Sequence, residues 1–346
     1  MRVPAKQYTS SDAETFKRRL AFAKEWVNRC QSNPSLPNAD VFMTFYPIAK
    51  NIRSCSSWMA KNVVNNHYSR ISSGSRVGED TFWPQAWKLG SWFPWLWARG
   101  RISGEYNNQA GWDFYFDSFR ASTPPLIESG PTERPPEDEL VFYVYLACVL
   151  YTFRLNSTYQ SMVDAYEKEM KWPVDDKVLA IQIRRGEITP KNGDFARDRP
   201  FFTVEQYVEQ ADIILKENPD MKYVYISTDS DDEIDKVRTL RPEWNLLYLP
   251  IDRSKFFRYG GSNGAFSDLE RICALDTGRI PFVVDSALAD LYFIARSHGY
   301  VSTIMPSEFS RCGWFLQFAF QQRMTPYVNM SGKDIDFNDR DVLLML

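Results

Sequence analysis

Two adjacent arginines close the stretch Val178-Leu179-Ala180-Ile181-Gln182-Ile183-Arg184-Arg185-Gly186-Glu187. A guanidinium is permanently charged and presents a planar fork of N–H donors, which suits a diphosphate better than a mobile ammonium does. The glutamate two positions further on is a group that could accept a proton. The residues before the arginines form a continuous apolar run, too short for most helices and suited to a strand buried on both faces. In an open α/β sheet, ligands bind beyond the carboxyl ends of such strands. An anion site at this strand end is one reading. A strand-end arginine paired with a surface acid is the other.

The elements that would position these groups alternate. Strands are expected over 179–184, 223–227, 246–249 and 299–302. Helices are expected over 203–217, 232–240, 267–275, 282–295 and 307–322, with Thr203 capping the first and acids capping the second. Strands alternating with helices argue for a parallel sheet in a Rossmann-like domain. No Gly-x-Gly-x-x-Gly follows any strand, so phosphate binding must come from arginine and backbone groups. Upstream, Ser11-Asp12-Ala13-Glu14 reads as a capping box opening a helix to about residue 32. A strand is a candidate over 41–47 and a helix over 58–64. The segment 81–112 is rich in tryptophan and broken by Gly and Pro. It reads as a small aromatic core, with an aromatic sugar platform as the alternative. A proline-rich loop over 122–136 leads into helices over 137–154 and 158–171. The domains are expected at 1–174 and 175–346.

Three motifs in order carry a family resemblance. Gln182-Ile183-Arg184-Arg185-Gly186-Glu187 resembles the arginine-bearing strand end of the α1,6-fucosyltransferases. Val224-Tyr225-Ile226-Ser227-Thr228-Asp229 resembles the family's second strand motif. Ala289-Asp290-Leu291 followed by Val301-Ser302-Thr303 and Ser307-Glu308-Phe309-Ser310-Arg311 resembles the third. The resemblance spans about 139–322 and is poor before that. It implies the GT-B arrangement, an α/β fold of two facing Rossmann-like domains. It also implies an inverting glycosyltransferase that moves fucose from GDP-fucose to a glycan hydroxyl.

Residue roles follow from the resemblance. Arg184, and with it Arg185, stabilises the departing diphosphate. Ser307 and Glu308 open a helix whose N-terminal N–H groups face the phosphates, with Arg311 nearby to pair with Glu308. Asp290 reads the guanine. Gln182 stands where the family has a histidine and offers its amide to the base. Asp229 reaches ribose or sugar hydroxyls. Phe202 and Tyr207 keep an aromatic pair of the family, and Tyr207 joins the donor-binding set. The general base is one of Glu187, Asp194 and Asp198 in the loop after the arginines. Asp229-Ser230-Asp231 also fits an Asp-x-Asp metal signature, but acids at this point favour a helix start. No metal and no cofactor are expected.

The 346 residues suit two domains. A net charge of -3 argues against a nucleic-acid partner. The five cysteines are few, odd in number and widely spaced, which suits reduced thiols. The N-terminus has no apolar signal core, and no run is long enough to cross a bilayer, so a soluble, cytoplasmic protein is expected. Other readings are transfer from a different nucleotide sugar, or an inactive protein that binds a sugar nucleotide or glycan.

Overall fold

The computed structural model describes residues 10–31, 126, 130–136, 153–185, 201–256, 280–304 and 308–332, with 139, 140, 142, 143, 146, 147 and 150 between them. In chain order the elements are α1 (Ser10–Gln31), α2 (Ser157–Met170), β1 (Lys177–Ile183), α3 (Val204–Glu217), β2 (Met221–Thr228), α4 (Asp231–Leu240), β3 (Asn245–Leu247), α5 (Ile280–Arg296), β4 (Gly299–Ser302), α6 (Glu308–Gln321) and β5 (Tyr327–Asn329). Of the described residues, 160–332 form one compact unit, and 10–31 with 126–159 belong to a second.

The first unit is a mixed α/β domain around a parallel five-stranded sheet, ordered β3-β2-β1-β4-β5. The chain winds outward from β1 through β2 to β3, then returns past β1 to β4 and β5. Its direction reverses between β1 and β4, the switch point where such sheets open a crevice beyond their carboxyl ends.

Strand alternation divides the side chains of β1. Leu179, Ile181 and Ile183 join Val224, Ile226 and Val301 against Val208, Ala211 and Ile214 of α3 and Val237 of α4. Val178, Ala180 and Gln182 face the other way and are also buried. On that side α5 and α6 pack together. The buried Gln317 of α6 donates to the carbonyls of Ile294 and Gly299, tying α6 to the end of α5 and to β4. Burial on both faces explains the unbroken apolar run. Each aliphatic side chain placed there contributes about 1.5–3 kcal/mol.

Among the described residues the expected strands and helices are present, with shifts of one to three residues at their ends. Three differences have physical causes. The sheet does not end with α6, because β5 pairs with β4. At three residues, β5 is too short to show a period. The cap of α4 is Ser230, without a side-chain cap bond; the acids stand inside its first turn, where they oppose the helix dipole. β3 stops at Leu247, and the carbonyl of Leu249 turns to a buried arginine. The candidates at 41–47, 58–64, 81–112 and 267–275 lie outside the described residues.

In the second unit, Phe16, Leu20 and Ala23 of α1 are buried, with Phe16 against Phe142 and Tyr143. Arg18 and Arg19 pair with Glu133, and Arg19 also with Glu139. Among the described residues, no helix is long and apolar enough to cross a membrane.

Helix α3 starts with a complete capping box. Thr203 Oγ1 accepts from the Gln206 N–H at 3.4 Å, and Gln206 Oε1 accepts from the Thr203 N–H at 2.8 Å. Thr203→Ala is therefore expected to cost about 1 kcal/mol of unfolding free energy. Urea denaturation of the purified variant checks this, and an unchanged midpoint would contradict it.

Candidate functional site

Arg184 and Arg185 follow the last residue of β1. Arg185 follows Ile183 to the α3/α4 side. Its Nη2 lies 2.9 Å from Glu233 Oε2 in the first turn of α4, and its guanidinium stacks 4.6 Å from the centre of the Phe201 ring. Its backbone N–H donates to Asp229 Oδ1 at 2.8 Å. Burial pushes the Glu233 carboxyl up, but Arg185 and Lys236 outweigh it and hold the group below its ordinary value. The charge of Arg185 is thus matched within the fold. Arg184 is exposed at the carboxyl edge.

Gln182 is buried beneath Arg184. Its Oε1 accepts from the hydroxyls of Ser302, the last residue of β4, at 2.6 Å and Ser310, in the first turn of α6, at 2.7 Å. The two hydroxyls are 2.9 Å apart. This network spans the β1–β4 switch point. Tyr300, on the same face of β4, is wholly buried, and burial pushes its phenol well above the ordinary range.

Asp290 of α5 lies over β2. It keeps part of its surface exposed yet sits deep among protein atoms, and burial pushes its carboxyl up to about 6. The hydroxyl of Tyr225 donates to Asp290 Oδ1 at 2.5 Å, and Ser227 also faces the carboxylate; with the charge of Arg253 they oppose the rise. Tyr225 is held against Trp172 and Phe293, with ring centres 5.5 and 5.7 Å away. Ser227 pairs directly with Gln182 in the sheet. Gln182 of β1 and Asp290, which lies over the adjoining β2, therefore stand on one face of the sheet.

Tyr207 of α3 is buried on the opposite face, its hydroxyl 2.9 Å from Thr303 Oγ1 just past β4. Arg311 is buried in the first turn of α6. Glu308 opens that helix. The Glu308 side chain and Ser307 lie outside the described residues, as do Glu187, Asp194 and Asp198. The structure thus brings Gln182, Asp290 and the start of α6 to one side of the carboxyl edge, at which Arg184 is exposed. Arg185, Asp229 and Tyr207 brace that edge from within.

Sequence reasoning missed Arg253, in a short 3-10 turn after β3. Only 2% exposed, it donates from Nε to the carbonyl of Thr228 and from Nη2 to that of Leu249, at 3.0 and 3.1 Å, and its Nη1 pairs with Asp231 at 3.3 Å. It ties the ends of β2 and β3 together. An arginine in a polar loop carries no local sign of such burial. Asp229 and Asp231, the acids of the metal-like tripeptide, are both engaged by protein groups. Among the described residues no cluster of three or more His, Cys, Asp or Glu could hold a metal ion. His298 stands at the opposite edge of the sheet, at the start of β4. Burial pushes its imidazole down to about 4.

No protein-family model matches the chain, and no curated protein does. Among solved structures it is similar to NodZ α-1,6-fucosyltransferase soaked with GDP-fucose, at 17% identity and a TM-score of 0.30, over 48% of this chain and 45% of that one. It is also similar to fucosyltransferase NodZ from Bradyrhizobium, at 18% identity and a TM-score of 0.29, over 48% and 45%. For POFUT1 in complex with GDP-fucose the identity is 14% and the TM-score 0.33, over 60% and 52%. The chain thus spans less than half the length of the NodZ chains. TM-scores of this size do not establish a common overall architecture. The α/β class stands on the sheet itself.

The position of Asp290 gives a stability prediction. Its folded pKa lies above the ordinary 3.8, at about 6, so the folded state binds more protons between those values. Stability contributed by this group falls as pH rises through that window, and the ionised carboxylate costs on the order of 1–3 kcal/mol above it. Asp290→Asn keeps an acceptor for Tyr225 and removes the charge. The variant should be more stable than the parent at pH 7.5 and should lose part of the pH dependence between 4 and 6. Equal melting temperatures at pH 7.5 would contradict the buried charge.

Proposed function

We propose that the carboxyl edge of this sheet binds a nucleoside diphosphate sugar and that the protein is a glycosyltransferase, with GDP-fucose as donor and a glycan hydroxyl as acceptor. The observation that carries the reading is that Gln182 and Asp290 share one face at the carboxyl edge where Arg184 is exposed, beside the β1–β4 switch point. It joins a cation for a diphosphate to a buried carboxylate. The resemblance of all three strand motifs to the α1,6-fucosyltransferases supports the same assignment.

In this reading Arg184 receives the charge that develops on the diphosphate as the bond from the anomeric carbon to the phosphate oxygen breaks. A fixed cation is most useful there because it is already oriented when the charge appears. Asp290 accepts from the guanine N1–H and its exocyclic amine and holds the nucleotide so that the anomeric carbon is presented in line. The acceptor oxygen attacks from the opposite face with inversion, its proton passes to a carboxylate, and GDP leaves. Glu187, Asp194 and Asp198 are the carboxylates proposed for that proton. No metal enters the proposal, because arginine and helix N–H groups supply the positive charge.

A thermal-shift series with GDP, UDP and dTDP, followed by GDP-fucose turnover in EDTA, tests this. Ligand at 100-fold above its Kd stabilises the native state by about 2.7 kcal/mol. GDP should give the largest shift, and turnover should survive chelation. An equal shift with UDP would remove the guanine assignment. Loss of turnover in EDTA with rescue by manganese would make the transfer metal-dependent.

A further inference from the structure

The amide of Gln182 has a fixed polarity. The residue is 7% exposed, and Ser302 and Ser310 are fully buried. Contacts of 2.6 and 2.7 Å from the two hydroxyls to Gln182 Oε1 fit O–H···O bonds. Both hydroxyls donate to Oε1, so the carbonyl is the end held between the serines. Turning the amide over would place its NH2 at those distances. With the carbonyl inward, both N–H groups of Nε2 point away from the clamp. No described residue accepts from them. They are not among the buried polar atoms left without a partner, so they are open to solvent, and a ligand acceptor would replace water there.

One strand over, Asp290 supplies the complement. Gln182 pairs with Ser227, and Ser227 with Tyr225 faces the Asp290 carboxylate. Tyr225 donates to Oδ1, which fixes the carboxylate and leaves further lone pairs for a ligand. The face therefore offers a donor from β1 and an acceptor from α5.

We propose that Ser302 and Ser310 are specificity-determining residues: they hold the Gln182 carbonyl inward, so that its NH2 and the Asp290 carboxylate together read the C(=O)–N–H edge of a lactam base. This rests on the nucleotide-binding reading and names the recognition rule of that site. Guanine and hypoxanthine carry an oxo acceptor beside a ring N–H. Adenine carries an amino donor beside a ring acceptor, the reverse pattern at both positions. A site whose donor cannot turn over meets adenine donor to donor and acceptor to acceptor. Asp290 alone would leave half of this discrimination undone, because a mobile amide adapts to either base. Neither serine touches the base; both act through Gln182.

IDP and ADP differ only at this edge of the purine, so their affinity ratio reads polarity apart from general binding strength. Calorimetric titration of the parent should show IDP bound about a hundredfold tighter than ADP, as expected when a buried pair is left mismatched. Ser302→Ala with Ser310→Ala frees the amide, and the ratio should fall to within about tenfold. Gln182→Leu removes the amide and should reduce the ratio similarly. A merely structural role for the serines would weaken IDP and ADP alike and leave the ratio intact. The single serine variants, with their melting temperatures, serve if the double variant does not fold. A parent that prefers IDP, with serine variants that keep the preference, overturns this inference alone. A parent that binds the two equally overturns the fixed polarity while nucleotide binding stands. A parent that binds neither, and no GDP, removes the nucleotide reading and the inference together.

Discussion

The end of β1 is the constraint on which the domain depends. A strand buried on both faces has no room for charge until it leaves the sheet, and here it leaves on two arginines in succession. Arg185 is paired within the fold while Arg184 is exposed, so the two do different work. Arg185 pairs with Glu233, stacks on Phe201, and through its N–H receives Asp229. That set links the strand end to the starts of α3 and α4. Removing one partner from so enclosed a pair is costly, because it strands the other charge. Arg184 is exposed at the carboxyl edge, beside the switch point.

The same edge contains groups arranged at some cost to stability. Asp290 is held where burial disfavours its charge, and only Tyr225, Ser227 and the field of Arg253 offset this. Arg253 in turn is buried and bound to the carbonyls at the ends of β2 and β3. A fold selected for stability alone would not place a carboxylate there. Such local conflicts concentrate where ligands bind. On the far face, Tyr207 and Thr303 close a bond between α3 and β4, beside an apolar cluster. Polar groups therefore stand on both sides of the edge: the Arg185–Glu233 pair on the α3/α4 side, and Gln182 and Asp290 on the α5/α6 side.

Much of this was legible from residue order. The apolar run of β1, the alternation of strands and helices and the Thr203 cap are local signals, and they gave the sheet, its parallel sense and its carboxyl edge. Arg184 was named from its place at the end of an apolar run, and Gln182 and Asp290 from the resemblance of their motifs to the α1,6-fucosyltransferases. What residue order did not disclose is the pairing of residues distant in sequence. Gln182 meets Ser302 and Ser310 across 120 and 128 residues, and nothing local marks those serines as a clamp. The split role of the two arginines needs the first turn of α4 in place. Tyr225 reads as one more apolar position in a buried strand until Asp290 is set over it. Arg253 is visible only as an arginine in a polar loop, and β5 is shorter than any period that would reveal it.

The division of labour between the two arginines is the central claim, and one paired measurement addresses it. GDP affinity and melting temperature are measured side by side for Arg184→Lys and Arg185→Lys. Lysine keeps the charge and loses the planar fork. Arg184→Lys should weaken GDP binding about tenfold or more with little change in melting temperature, and Arg185→Lys should lower the melting temperature through its lost fit to Glu233 and Phe201. If Arg184→Lys binds GDP as the parent does, the diphosphate is not held at this edge by Arg184, and the assignment of the site is wrong.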